Sequence, residues 1–351
     1  YSQLDVGDIR VHDGGKNDDT KHYLPPSSRG YEEDLDGADI LANRQIIQKT
    51  FPHLSANIQT VVHARRAGGI SAQQLGIYLL DEARKLGVKL LTGDVTKVDV
   101  DNKGVKAVEV IIDGAQHRIQ TRSFINAAGP FAPEIASLLG VELPVFSILQ
   151  QKIAIQDIHG VIPREAPFTI IMDEQYLDWD EQEKADLDSD TELQWLVKKF
   201  PGGLHIKPEG GKDSPWIKLG WAINSVAEEP VWEPEFTPEF PEIVLRGAAK
   251  FIPGLKPYLN KLPKPVIRYA GYYTKTKENM PVIGPMGVDG AYMLGGLSGF
   301  GTMASCAAGE LITAWVAGDD LPDYASQLSL ERYDSKTNTE TGTGLYQNGE
   351  L

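Results

Sequence analysis

The chain of 351 residues has a single cysteine, Cys306, which excludes an intrachain disulfide and any metal centre built from cysteines, and which fits a reducing compartment. It has no uninterrupted apolar run long enough to span a bilayer as a helix. Positive charge is scarce: 34 Lys and Arg stand against 49 Asp and Glu, a net charge of −15. A surface this acidic disfavours nucleic acid and anionic membrane as partners and leaves small molecules and proteins. There is no internal repeat and no expected metal site. No signal-like segment follows Tyr1 and no peroxisomal address closes the chain, so the expected location is cytoplasmic.

What the chain does have is glycine in one telling place. In 291–318, AYMLGGLSGFGTMASCAAGELITAWVAG, an apolar run leads into Gly295, Gly296, Ser298, Gly299 and Gly301 and then into a helix of small residues. Bare amides at a helix start and backbone free of Cβ atoms make either a ligand seat or a tightly packed connection.

Taken in order, residues 1–30 read as loop or irregular edge, 32–49 as one or two short helices, and 60–64 as a strand. Ser71 and Gln74 form a capping pattern; Leu75, Leu79, Ala83 and Leu86 share a helical face, and Gly87 ends the helix. Residues 88–91 then read as a buried strand on which that helix packs. Residues 95–100 and 105–112 alternate around Asp101-Asn102-Lys103-Gly104 as a hairpin, with a further strand at 118–122. FINAAG, 124–129, is a strand ending in small residues, followed by a helix over 130–139. After Pro144 the pattern changes to strands (151–156, 168–172, 203–207, 216–221, 266–274) with helices at 190–199 and 240–251. Such a shift marks a second, mostly antiparallel domain. The acid-rich stretch 173–190 reads as a solvated loop, and the chain from about 334 as a frayed tail.

FINAAG, YYTKTKENMPVIGP and GGLSGFG, in this order and spacing, resemble the FAD-dependent oxidoreductases of the D-amino-acid oxidase superfamily, most closely the sarcosine oxidase and glycine oxidase branch. The likeness runs from about 67 to 333. It implies an α/β plus α+β fold: an incomplete Rossmann-like FAD-binding domain with a substrate domain on a large, mostly antiparallel sheet. Carried over, 1–62 and 147–270 form the substrate domain, 63–146 and 271–330 the FAD-binding domain, and 331–351 a flexible tail. The resemblance implies non-covalent FAD met by Val95, by Ala127, Ala128 and Gly129, and by Gly295, Gly296, Ser298, Gly299, Phe300, Gly301 and Thr302. Gly271 stands where sarcosine oxidases carry the cysteine that tethers the flavin. Lys218, in WIKLGW, matches the lysine that promotes reaction with dioxygen. The alternation puts Lys218 and Gly220 on one face and Ile217, Leu219 and Trp221 on the other, without saying which face meets solvent. Met303 and Ala222 replace a substrate-gripping lysine and an active-site histidine, which makes sarcosine itself a poor candidate. Arg268, with Arg65, Arg66 and Lys275, is left as a possible carboxylate partner.

The family's opening strand, its GxGxxG turn and its ribose-binding acid have no counterpart here, so either the sequence is truncated or this chain does not hold FAD alone. The implied function is oxidation of the C–N bond of an amino acid or N-methyl amino acid by hydride transfer to flavin, with dioxygen or an electron-transfer partner as acceptor. The alternatives are a 2-hydroxy acid dehydrogenase and a non-catalytic subunit.

Overall fold

Residues 7–15, 23–26 and 33–333 are described by a computed structural model. The first three strands, β1 (Ile9–His12), β2 (Ala38–Leu41) and β3 (Val61–Ala64), form a small sheet, with β1 parallel to β2. β1 lies in the segment expected to be loop, and β2 in one expected to be helical. Only α1 (Arg44–Thr50), capped by Asn43, is helical there. Both strands form because Asp39, at the centre of β2, gathers Arg10, His12 and Arg65 from its neighbours, a long-range ion network that no local pattern announces.

α2 (Ala72–Lys85) begins at Ser71, whose hydroxyl accepts from Gln74 N–H, and stops before Gly87, as its capping pattern requires. Its expected packing does not form. The helix buries no residue, and the segment 88–91 is coil with Val88, Leu90 and Leu91 more than half exposed. A strand needs an edge to pair with, and none among the described residues reaches 88–91.

β4 (Asp94–Asp101), β5 (Gly104–Ile112) and β6 (Ala115–Gln120) make an antiparallel meander. β7 (Phe124–Asn126) leads through a 3-10 turn, Gly129–Phe131, into α3 (Ala132–Ser137). The largest sheet follows, from β8 (Phe146–Gln156), β9 (Thr169–Ile171), β10 (Leu204–Pro208), β11 (Trp216–Trp221) and β12 (Ile267–Lys275), in the order β12-β8-β11-β10-β9 and antiparallel throughout. α4 (Glu181–Ser189) corrects the acid-rich loop: Asp180 and Glu183 close a reciprocal capping box, and acidic residues in the first turn suit the helix dipole. Residues 190–199 hold a 3-10 turn rather than a helix, whereas α5 (Phe240–Phe251) falls where expected and is followed by α6 (Lys256–Asn260).

One face of the large sheet is apolar. Ile153, Ile155, Ile206, Ile217, Leu219 and Trp221 pack against Ile243, Val244 and Ala248 of α5, all at most 2% exposed. Gly247 lies so close to this sheet that an added methyl would sit 2.5 Å from the Trp221 ring.

β13 (Val282–Pro285) and β14 (Ala291–Gly295) complete a three-stranded sheet in which β14 runs parallel to β7, and α7 (Gly301–Ala317) follows β14. Ala308, Leu311 and Ile312 of α7 cover one face, while Met293 and Val282 pack on the other against α3 and the β4–β5 hairpin. Parallel strands between a helix layer and a second layer are the Rossmann-like part of an α/β plus α+β molecule. The boundary expected at 271 falls inside β12, which stays in the large sheet over its whole length. Leu330–Tyr333, at the start of the expected tail, is a 3-10 turn pinned by Arg332 on Glu278 at 2.8 Å, and 334–351 lie outside the described residues.

Candidate functional site

Two glycine-bearing turns meet at one strand. β14 ends at Gly295, and Gly296 then turns with φ +65°, a conformation that favours glycine. Ser298–Phe300 is a 3-10 turn that leads into α7 at Gly301, and no side chain caps either start. Phe300 N–H is used within the turn, on the Leu297 carbonyl at 3.0 Å, and the neighbouring amides of Gly299, Gly301 and Thr302 lie at the positive end of a 17-residue helix.

The second turn follows β7. Asn126, 1% exposed, donates from Nδ2 to the Ala132 carbonyl at 2.8 Å and accepts the Ala128 N–H at Oδ1 at 3.2 Å. This folds Ala127, Ala128 and Gly129 (φ +58°) into the 3-10 turn. β12 passes against both turns. A methyl placed on Gly129, or on Gly271 of β12, would meet no atom within 4 Å, so both face open space. The loop 222–239 reaches over from the end of β11: Trp232 stacks on Phe131 with ring centroids 4.8 Å apart, and Val231 N–H donates to the Tyr272 hydroxyl at 3.1 Å.

The polar face of the large sheet lies on the other side of β12. Register places Tyr269, Lys152, Gly220 and His205 in one row across β12, β8, β11 and β10, and Lys218 directly opposite Lys207 in the next. Gly271, paired with Gln150, lies on the same face. Lys218 lies on the face away from α5, with its side chain 23% exposed. It is about 13 Å along the sheet and about 10 Å across it from Gly271. Glu209 holds Lys218 at 3.1 Å and Lys207 at 3.2 Å. Burial alone would raise the Glu209 carboxyl, but the two ammonium groups outweigh it and hold its pKa low.

Lys152 has no such partner: among the described residues no carboxylate pairs with it. Burial, and then the charges of Lys218 and Lys207, lower its pKa. His205 lies beside the Lys152 stem, 1% exposed. Its Nδ1 is 3.1 Å from the Gly203 carbonyl, which can only accept, so Nδ1 carries the proton and Nε2 is a buried acceptor with no partner. Burial and then Lys152 hold this imidazole neutral, with a pKa of about 4. Lys218 Nζ is 5.8 Å from the centroid of the Tyr269 ring, whose phenol pKa is raised by burial and then by Glu209.

The remaining expected residues divide. Met303, 65% exposed, and Thr302 stand on the first turn of α7 beside the glycine turn, and Ala222 opens the loop that carries Trp232. Val95 lies on β4, paired with Val110 of β5. Arg268 pairs with Ile153 and so lies on the opposite, α5-facing side of the sheet, where it donates to the Pro238 carbonyl. Arg65 is spent on Asp39, and Arg66 donates to the Asp34 carbonyl. Sequence reasoning missed Asn126, Lys152, His205, Lys207 and Glu209. The available signal was a lone lysine in each of two apolar strands, QQKIAIQ and LHIKP. Among the described residues no group of side chains could hold a metal ion, and no helix is long and apolar enough to cross a membrane.

Comparison with known proteins bears on this arrangement. The profile of a family described as "FAD dependent oxidoreductase" matches residues 27–315. Human mitochondrial dimethylglycine dehydrogenase is 23% identical over 304 residues, which cover 84% of this chain and 31% of that protein; the mouse enzyme is similar to the same extent. The chain thus spans about a third of the length of the curated relatives it matches. Among solved structures, L-proline dehydrogenase from P. horikoshii superimposes with a TM-score of 0.62 at 20% identity, over 85% of this chain and 69% of that one. Glycine oxidase from Geobacillus kaustophilus gives 0.61 at 14% identity, over 84% and 66%. At these identities the structural matches establish the fold.

Proposed function

The chain belongs to the family of FAD dependent oxidoreductases, and from that membership we propose that it serves the oxidation of a carbon–nitrogen bond in an amino acid or N-methyl amino acid. The observation that carries this reading is the placement of β12 between the two glycine turns and the lysine-bearing face of the large sheet. An open seat beside uncapped helix amides adjoins a cationic face that suits a carboxylate. The names of the relatives, dimethylglycine dehydrogenase, glycine oxidase and L-proline dehydrogenase, point to the same substrate class.

The residues present fit the ring end of FAD. Open space at Gly129 and Gly271, the φ of Gly296 and the uncapped start of α7 are what a flat, electron-rich group requires. When bound, FAD supplies the hydride acceptor and passes electrons on to dioxygen or a carrier. The amides of Gly299, Gly301 and Thr302 would stabilise negative charge at the pyrimidine edge, and Ala127, Ala128 and Gly129 would leave room beside it. Lys218, tied to Glu209, would offer a fixed positive charge to oxygen as it gains electrons. In this reading 63–146 and 271–330 serve the cofactor, and 1–62 and 147–270 the substrate.

The test is expression of the whole open reading frame followed by anaerobic titration with dimethylglycine, sarcosine, glycine and proline. The expected result is a yellow protein whose visible flavin absorption bleaches with at least one of them. A protein that takes up no FAD, or whose flavin bleaches with 2-hydroxy acids and with no amine, overturns the reading.

A further inference from the structure

We propose that the polar face of the large sheet is a dicarboxylate subsite, and that the amine substrate carries a second carboxylate held by Lys152 and Lys207. The inference rests on the proposed function and deepens it. Three lysines on three adjacent strands converge on this face, and one carboxylate, Glu209, reaches two of them. Three positive charges against one leave a surplus of two, which is the charge of a dicarboxylate.

The surplus is built in. Lys207 and Lys218 are opposite each other in register, a placement of like charges that destabilises a sheet unless an anion lies between them. Glu209 supplies that anion for this pair, yet among the described residues no carboxylate does so for Lys152, whose stem crosses Gly220 next to His205 Nε2, which has no partner among them. That buried acceptor belongs to a residue 1% exposed and lies beside the Lys152 stem. It fits an ammonium drawn down from above or an N–H of the ligand.

Gly220 lets two of these groups close over β11: a methyl there would sit 2.4 Å from His205 Nε2 and 2.9 Å from Lys152 Cγ, so only a residue without a side chain leaves room for the imidazole and the lysine stem. The Gly68-Gly69 loop forms the rim: a methyl on Gly69 would be 3.5 Å from Lys207 Nζ. A monocarboxylate needs one cation beside the cofactor seat. Lys152 and Lys207, in successive rows, provide two more, extending away from Gly271 along the same face.

The experiment uses glutarate and valerate, a dicarboxylate and a monocarboxylate with the same number of carbons, in calorimetric titrations of the purified protein at fixed ionic strength. Glutarate is expected to bind at least about tenfold more tightly than valerate, and Lys152→Met and Lys207→Met each to weaken it by about tenfold or more. Lys207→Arg and the remote Lys250→Met should stay within about threefold of the parent. Circular dichroism and thermal unfolding identify any variant that fails to fold, and for such a position the charge-keeping arginine variant is read instead. Equal affinity for the two acids, or glutarate binding unchanged in both methionine variants, overturns the proposal. If glutarate binds as expected but no amine bleaches the flavin, the subsite stands and the oxidoreductase reading falls.

Discussion

Replacing Asp39 with asparagine removes the anion at the centre of the first sheet. Asp39 is wholly buried and accepts from His12 Nε2 at 2.7 Å, from Arg10 Nε at 3.0 Å and Nη2 at 3.2 Å, and from Arg65 Nε at 2.5 Å. Asparagine keeps the volume and one acceptor, but its NH2 would face guanidinium donors and leave buried Arg65 and half-buried Arg10 with only the more distant Asp34, at 3.7 Å, and Asp36, at 4.0 Å. Breaking a buried ion pair from one side costs about 3–5 kcal/mol, and losing two charge-assisted hydrogen bonds gives a figure of the same size. Urea unfolding of the 351-residue chain should show that loss as a lower midpoint at unchanged slope. A loss under about 1 kcal/mol would refute the view that this network holds β1 and β2 together.

The same residue sets a pH signature. Burial alone would raise the Asp39 pKa, but hydrogen bonds from Arg10, His12 and Arg65 bring it down from 3.8 to about 2. A depressed carboxyl contributes stability that is complete above its unfolded pKa and is lost as pH falls through the folded one. About 2 kcal/mol should therefore be present above pH 4 and fade towards pH 2. Asp39→Asn should abolish that part of the acid limb, and identical limbs in parent and variant would contradict the assignment.

Further outcomes follow from single residues. Lys218→Met should slow reoxidation of reduced enzyme by dioxygen by roughly 10²–10³-fold, the effect of removing one electrostatic stabiliser, while anaerobic reduction by substrate stays within a few-fold; stopped-flow spectroscopy separates the two. Gly247→Ala should destabilise the chain by about 1–3 kcal/mol, because its methyl would land 2.5 Å from Trp221 and 2.7 Å from Leu204; an unshifted thermal midpoint would contradict this packing. Ile77→Ser on α2 should change stability by no more than about 0.5 kcal/mol, since Ile77 is 61% exposed; a larger loss in chemical unfolding would mean that this face is covered.

Local chemistry made much of the fold legible. The capping serine of α2, the 94–112 hairpin, the β14 to α7 turn and α5 all follow from patterns within about ten residues, where propensity and turn geometry act. The misjudged segments depended on distant partners. The acid-rich helix α4 is held by Arg246, which bonds the Asp178 carbonyl and the Glu183 carboxylate, and β1 needed the network of β2 and β3. Residues 88–91 have the composition of a buried strand but no edge to join among the described residues.

The sequence by itself determined the turns, the helix starts and the glycine seat, because each rests on backbone freedom or its absence within a few consecutive residues. It also contained the family: three short segments in order carried the resemblance, and the family's profile matches residues 27–315. Only the tertiary structure decided which face of each strand met the core. That choice put Arg268 on the α5 side and out of the site. It put Lys152, Lys207 and Lys218 together, though 66 residues separate the first from the last, because strand register, rather than sequence distance, sets which side chains are neighbours.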